Sequence, residues 1–204
     1  LRRFYLPPQR LKGELAVLDP EETHHLARVL RLGVGARVMV ADGRGRGWEA
    51  EVQALAPSGA VLKMVREVAP WGESPLEVTL AIGLAKADAL DAVIRQATEM
   101  GVRRILPFAS ERSERLKPEK VQARLERWRR LARESLKSCQ RSLVPEIAQP
   151  REFAAALSGP EEAKLLFWEE ERRGGLKDCF QASRPASARV FVGPEGGFTK
   201  EEAA

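Results

Sequence analysis

One stretch near the carboxyl end constrains the fold more than any other: Val190-Phe191-Val192-Gly193-Pro194-Glu195-Gly196-Gly197-Phe198-Thr199-Lys200-Glu201-Glu202. Its three apolar residues predict a short buried strand. A loop of Gly, Pro and paired Gly follows at once. Thr199, with Glu202 three residues on, is a capping box that predicts a helix start. Strand, glycine loop and helix in that order is how α/β proteins hold a nucleotide-like ligand at the carboxyl end of a sheet. Gly196 and Gly197 are expected to reach positive φ and to let backbone approach a ligand closely. The loop is neither G-x-G-x-x-G nor a P-loop. It carries Glu195, which disfavours phosphate and favours a ligand with a neutral or cationic part, such as a ribose or a sulfonium. An ordinary tight turn between strand and helix is the competing reading.

The 204 residues allow one or two domains. A hydrophobic fraction of 44% beside 31% charged residues predicts a chain that folds without disulfides. No apolar run has the length of a membrane span, and the first residues hold no apolar core of signal-peptide length. The two cysteines lack metal-ligand spacing, so a cytoplasmic setting without a metal site is expected. Net charge is +5, yet Lys117–Arg141 alone holds nine Lys/Arg against three Asp/Glu. That local excess suits a polyanion, or simply a solvated helix face.

Residues 1–70 read as mostly β, with runs at Glu14–Leu18, Arg37–Ala41, Trp48–Leu55 and Ala60–Val65. Asp42-Gly43 and Pro57-Ser58-Gly59 supply turns. One helix interrupts, capped by Asp19, with Leu26, Val29 and Leu30 as its stripe. Short strands around one helix predict a small barrel-like domain. Ala69–Pro75 reads as a linker.

Residues 71–204 alternate strands and helices, which predicts a parallel sheet. Leu76, Val78, Leu80, Ile82 and Leu84 make one face of a strand. Asp88 caps a helix with stripe Leu90, Val93, Ile94 and Ala97, ended by Gly101. Val102–Leu106 is the next strand. A long helix starts near Pro118 with Val121, Leu125, Trp128, Ala132, Leu136 and Cys139 facing inward. Lys164–Trp168 and Arg189–Val192 are two further strands.

Several groups carry chemistry. Lys86 stands where the first strand of this half meets its helix. Arg112-Ser113 follows a strand and suits phosphate or carboxylate, because guanidinium donates in a planar fork; a salt bridge accounts for it equally. Arg141 closes the basic helix, where a cation also complements the helix dipole. The Gly/Arg alternation at 42–48 suits a flexible hairpin against a phosphate backbone, or only a long turn.

Taken in order, His25…Val29-Leu30-Arg31, Lys86, Ala97-Thr98-Glu99-Met100-Gly101-Val102, Arg112-Ser113, Arg127-Trp128, Gln140-Arg141 and Gly193–Phe198 resemble the small-subunit ribosomal RNA uridine-N3 methyltransferase family. That family belongs to the SPOUT class of S-adenosylmethionine-dependent enzymes. The resemblance implies a PUA-like RNA-binding barrel over residues 1–70 and a methyltransferase domain with a carboxyl-terminal trefoil knot over 71–204. It implies a homodimer acting on ribosomal RNA, in an assembled small subunit. It places the cofactor on Gly193, Pro194, Glu195, Gly196 and Gly197, with Trp168 and Glu169 as a second wall. It places Arg31, Lys86, Arg112, Ser113 and Arg141 near RNA or the target base. Arg112 and Arg141 are the catalytic candidates, as cations facing a uracil anion. Arg127, Arg130 and Arg133 on the basic helix are further candidates for phosphate. The family continues past the glycine loop with a helix, a strand and a Leu-Gly…Ile-Leu-Arg…Glu-Thr-Ala segment, so a longer protein is expected. The alternatives are a non-catalytic RNA-binding protein on the same platform, and a transfer RNA methyltransferase of the same class.

Overall fold

A computed structural model describes residues 1–56, 58–69, 72–139, 141–172, 175–179 and 184–204. Pro57, Pro70, Trp71 and Gln140, which the sequence reading used, lie outside the described residues. The chain divides into two compact units, Leu1–Glu73 with Arg133–Val144, and Ser74–Ala132 with Pro145–Ala204.

The first unit holds β1 (Arg2–Tyr5), β2 (Leu11–Lys12), β3 (Leu15–Val17), β4 (Arg37–Ala41), β5 (Gly47–Ala56) and β6 (Gly59–Val68) in one sheet, ordered β1-β4-β5-β6-β3-β2. Only β1 pairs parallel, with β4; the others are antiparallel. Alternation drives the curl. Val38 and Val40, Trp48, Ala50 and Val52, and Ala60 and Leu62 point to one core with Phe4, Leu18 and Leu26. Register shifts at Glu49/Ala50 and Val52/Ala54 bend the long β5–β6 hairpin.

The helix is shorter than its apolar stripe predicts. α1 spans Pro20–His24, with Asp19 accepting the Glu22 N–H at 2.8 Å, and a wider π-type turn then carries His25–Val29. The wider turn rotates the stripe: Leu26 is fully buried, whereas Val29 is exposed. The predicted flexible hairpin at 42–48 is a built one. Buried Asp42 accepts the N–H groups of Arg44 and Arg46 and the Arg46 Nε at 2.9 Å, and Arg46 lies over the Trp48 ring.

The second unit contains β7 (Glu77–Gly83), α2 (Ala87–Glu99), β8 (Arg104–Ala109), α3 (Pro118–Cys139, whose last turns belong to the first unit), β9 (Glu146–Ile147), β10 (Arg151–Glu152), α4 (Phe153–Ala156), β11 (Ala163–Phe167), α5 (Leu176–Cys179), β12 (Ser187–Val192) and α6 (Lys200–Ala203). Its sheet is ordered β10-β8-β7-β12-β11, with β9 also on β8, and every pairing is parallel. β7 is therefore central and is covered on both faces. Thr79, Ala81 and Gly83 are buried as well as Ile82 and Leu84, so the single predicted face was half of the burial. β8 begins two residues later than predicted, because Val102 and Arg103 complete the turn after Gly101 (φ 97°).

Leu90, Ile94 and Ala97 of α2 and Leu125 and Trp128 of α3 are buried. Each large apolar side chain so buried contributes roughly 1.5–3 kcal/mol. Asp88 does not cap α2; it lies in the first turn, and Lys86 is the capping position without a side-chain bond.

Candidate ligand site at the carboxyl ends of the sheet

Four loops leave the carboxyl ends of neighbouring parallel strands: Leu84–Lys86 after β7, Ser110–Ser113 after β8, Trp168–Glu169 after β11, and Gly193–Thr199 after β12. From β7 the chain moves to β8 on one side, while β11 and β12 lie on the other. The β7/β12 junction is the point at which strand order reverses, where open α/β sheets form a ligand crevice.

The glycine loop is set by contacts from the three other loops. Gly83, the last residue of β7, lies so close that a Cβ there would stand 2.5 Å from the Pro194 nitrogen and 2.6 Å from its Cδ. The Glu195 carboxylate accepts the Lys86 N–H at 3.1 Å, ahead of α2. Arg112 donates through Nη1 to the Gly196 carbonyl at 2.8 Å and, more weakly, to the Phe198 carbonyl at 3.4 Å. The Glu169 carboxylate rests against Gly197, where any Cβ would collide with it. Phe198 anchors the loop in the core, 2% exposed, 6.1 Å from the Phe108 ring and 5.5 Å from Phe153. The predicted capping box is present: Glu202 N–H to Thr199 Oγ1 at 3.2 Å, and Thr199 N–H to Glu202 Oε2 at 3.1 Å.

Of the two glycines expected at positive φ, only Gly197 adopts it, at 68°. Gly196 serves close approach instead: a Cβ there would meet Arg112 Cβ at 3.1 Å.

Electrostatically the crevice carries two carboxylates, Glu169 and Glu195. Glu195 is held below its ordinary range, first by its own backbone N–H, then by the Lys86 N–H and the Lys86 charge, against a smaller opposing effect of burial. It is ionised at neutral pH, a weak base and a steady negative charge. Arg112 is turned onto loop carbonyls. This donor set fits a ligand with a cationic centre better than a phosphate.

The remaining candidates are dispersed. Trp168 packs against the core beneath the loops. Ser113 accepts the Ser110 N–H at 2.9 Å through Oγ, and its hydroxyl meets that of Ser110 at 2.9 Å. Lys86 is exposed. Arg31, in the first unit, is exposed and, at φ 55°, is the single non-glycine residue with positive φ among those described. Such a backbone costs a non-glycine residue about 1–3 kcal/mol.

Two of the candidate arginines have carboxylate partners within the chain. Arg127 is held by Asp91, through Nε at 2.7 Å and also through Nη2, and hydrogen bonding to that carboxylate, with its charge, raises the guanidinium pKa. Arg141 belongs to the first unit with a side chain 1% exposed, donating from Nε and Nη2 to Glu73 at 3.1 and 2.7 Å. The other Glu73 oxygen accepts the Ser142 and Leu143 N–H groups. A guanidinium enclosed this way braces the loop through Glu73. Arg130 and Arg133 lie further along α3; Arg130 is exposed and Arg133 half-buried.

Residues 72–204 match the RNA methyltransferase domain family, and residues 18–65 match the RNA methyltransferase PUA domain family. The ribosomal RNA small subunit methyltransferase E of Synechocystis sp. is 35% identical over 204 residues, covering 98% of this chain; the chain spans 66% of that relative's length. The protein of the same name from Bacillus subtilis is 27% identical over 190 residues, covering 89% of this chain and 74% of the relative. Among solved structures, ribosomal RNA small subunit methyltransferase E from Neisseria gonorrhoeae, bound to S-adenosyl methionine, superposes with a TM-score of 0.86 at 30% identity, covering 100% of this chain and 84% of that one. A putative methyltransferase from Legionella pneumophila in complex with SAM gives 0.85 at 25% identity, covering 98% and 83%. The chain belongs to the RNA methyltransferase family of the ribosomal RNA small subunit methyltransferases E.

Proposed function

We propose that the protein is an S-adenosylmethionine-dependent methyltransferase acting on N3 of a uridine in small-subunit ribosomal RNA, as a cytoplasmic homodimer with a PUA-like barrel in the first 70 residues and a trefoil-knotted SPOUT domain after them. The observation that carries this reading is the loop Gly193–Phe198, clamped at the strand-order reversal of a parallel sheet, in a fold shared with a relative solved with S-adenosyl methionine. Gly193–Gly197 hold the cofactor, with Trp168 and Glu169 as the opposite wall.

S-adenosylmethionine supplies a methyl group already activated by its sulfonium. The protein orients the acceptor in line and keeps water out. Glu195 and Glu169 place negative charge near a cationic ligand. Uracil N3 must lose its proton, and Arg112, whose charge stands beside the loop, lowers the cost of the resulting anion. Lys86 and Ser113 stand on the flanking loops, toward RNA.

The test is methyl transfer by the full-length protein from isotopically labelled S-adenosylmethionine to small-subunit ribosomal RNA, to assembled subunits and to transfer RNA, with the product nucleoside mapped by mass spectrometry. The expected product is 3-methyluridine in the small-subunit RNA. Label in transfer RNA, or none in any RNA, refutes the assignment.

RNA phosphates are expected to meet Arg31 and the basic helix. Each phosphate contact adds about 0.7–0.9 to the slope of log affinity against log salt. Replacing Arg127, Arg130 and Arg133 with Gln is expected to flatten that slope. An unchanged slope in the folded variant would return the basic helix to a solvated face.

A further inference from the structure

We propose that Arg112 and Glu202 are positioning residues that fix two peptide planes of the glycine loop and leave the plane between them for the methyl donor. The inference rests on the function proposed above.

The Gly196–Gly197 peptide is held at both ends. Its carbonyl accepts from Arg112 Nη1, and its N–H donates to the Pro194 carbonyl at 2.9 Å. The Phe198–Thr199 peptide is held likewise, its carbonyl by the same Arg112 nitrogen and its N–H by Glu202 Oε2. Between them lies the Gly197–Phe198 peptide, whose carbonyl and N–H have no hydrogen-bond partner among the described residues. In this trans peptide the two groups point to opposite sides, so the one that faces the crevice is left for a polar ligand to complete. Gly197, at φ 68°, sets how that plane is turned, and the Glu169 carboxylate occupies the side where a Cβ would be.

The two clamps are themselves joined. Glu202 uses Oε2 for the cap of α6 and Oε1 for the Glu111 N–H at 2.9 Å. One carboxylate therefore ties the start of α6 to the turn that carries Arg112. That turn is closed by the paired serines, Ser110 N–H to Ser113 Oγ and Ser113 N–H to the Ser110 carbonyl at 3.1 Å. Arg112 is exposed, so its removal takes nothing from the core.

The test separates positioning of the loop from the effect of the Arg112 charge on the uracil anion. S-adenosylmethionine binding to the full-length protein is measured by calorimetry without RNA, and turnover is measured with RNA. Arg112→Met is expected to weaken S-adenosylmethionine about tenfold, which corresponds to about 1.4 kcal/mol. Arg112→Lys should restore most of that affinity, since an ammonium can still donate to two carbonyls. Glu202→Gln, which can accept only through one oxygen, should weaken binding about threefold, at an unchanged melting temperature. Wild-type cofactor affinity in folded Arg112→Met, with turnover alone reduced, overturns the proposal and leaves Arg112 only the effect of its charge on the uracil anion. A wild-type protein that binds no S-adenosylmethionine refutes the methyltransferase reading itself, and this proposal with it.

Discussion

Replacing Gly83 with Ala is expected to weaken S-adenosylmethionine by about a hundredfold or more, equivalent to about 2.8 kcal/mol. The position is the last residue of a central strand, with no ligand-binding motif of its own. Its importance is steric. An added Cβ would lie 2.5 Å from the Pro194 nitrogen, 2.6 Å from its Cδ and 3.0 Å from the Gly193 carbonyl carbon. These are backbone and ring atoms, not the end of a mobile side chain. β12 is fixed against β7 in register through Val192↔Ile82, so the strand cannot slide away. Relief must come from the loop, which would lift off its seat and carry Glu195 from the Lys86 N–H. Gly196→Ala is the control. Its Cβ would meet Arg112 Cβ at 3.1 Å and Cδ at 3.3 Å, contacts that a shift of a few tenths of an ångström relieves, so a loss smaller than that at Gly83 is expected. Calorimetry on both variants decides: equal affinities would mean that the loop is not seated through Gly83.

Gly83 and Gly196 differ in how far along the chain the signal for each extends. The glycine loop was legible because its signal is local, a strand, a turn and a capping box within thirteen residues. The parallel sheet was legible because helices and strands alternate with different periods. Gly83 was not, because its partner Pro194 lies more than a hundred residues away and no period records such a contact. The second use of Glu202 was hidden for the same reason: a capping box accounts for one carboxylate oxygen and is silent on the other. β9 and β10, at two residues each, are too short to carry any alternation. The grouping of residues 133–144 with the first unit cuts through a single helix whose apolar stripe runs on without a break. Arg141 was placed by resemblance in order along the chain, and order says nothing about burial.

The other large effect is expected far from the glycine loop. Arg189 lies in the middle of β12, between Lys164 on β11 and Thr79 on β7, and its side chain is 2% exposed. In the sequence it begins the predicted strand Arg189–Val192, and nothing marks it as interior. The structure encloses its guanidinium: Nη1 donates to the carbonyls of Ala156 and Ser158, and Nη2 to Glu161 at 2.9 Å. Gly159 makes room, since a Cβ there would overlap the guanidinium. The Glu161 side chain is only 8% exposed. Burial pushes its carboxyl upward, but hydrogen bonds from Arg189, its own backbone and Thr79, with the Arg189 charge, outweigh that and hold it below its ordinary value. Glu161→Ala leaves a buried cation without its counter-ion and is expected to cost about 3–5 kcal/mol, whereas replacing both partners with Met should cost far less or nothing. The pH dependence has a definite sign. A carboxyl with a lowered folded pKa contributes stability that is present above its unfolded pKa and is lost as pH falls through the folded value. Wild-type protein should therefore lose stability in acid, below about pH 4, and Glu161→Gln should remove that part of the slope. Denaturant melts from pH 3 to 7 on wild type, Glu161→Ala, Glu161→Gln and the double Met variant are the measurement. Equal losses for the single Ala and the double Met variant would show that the site is held by packing volume and not by the ion pair.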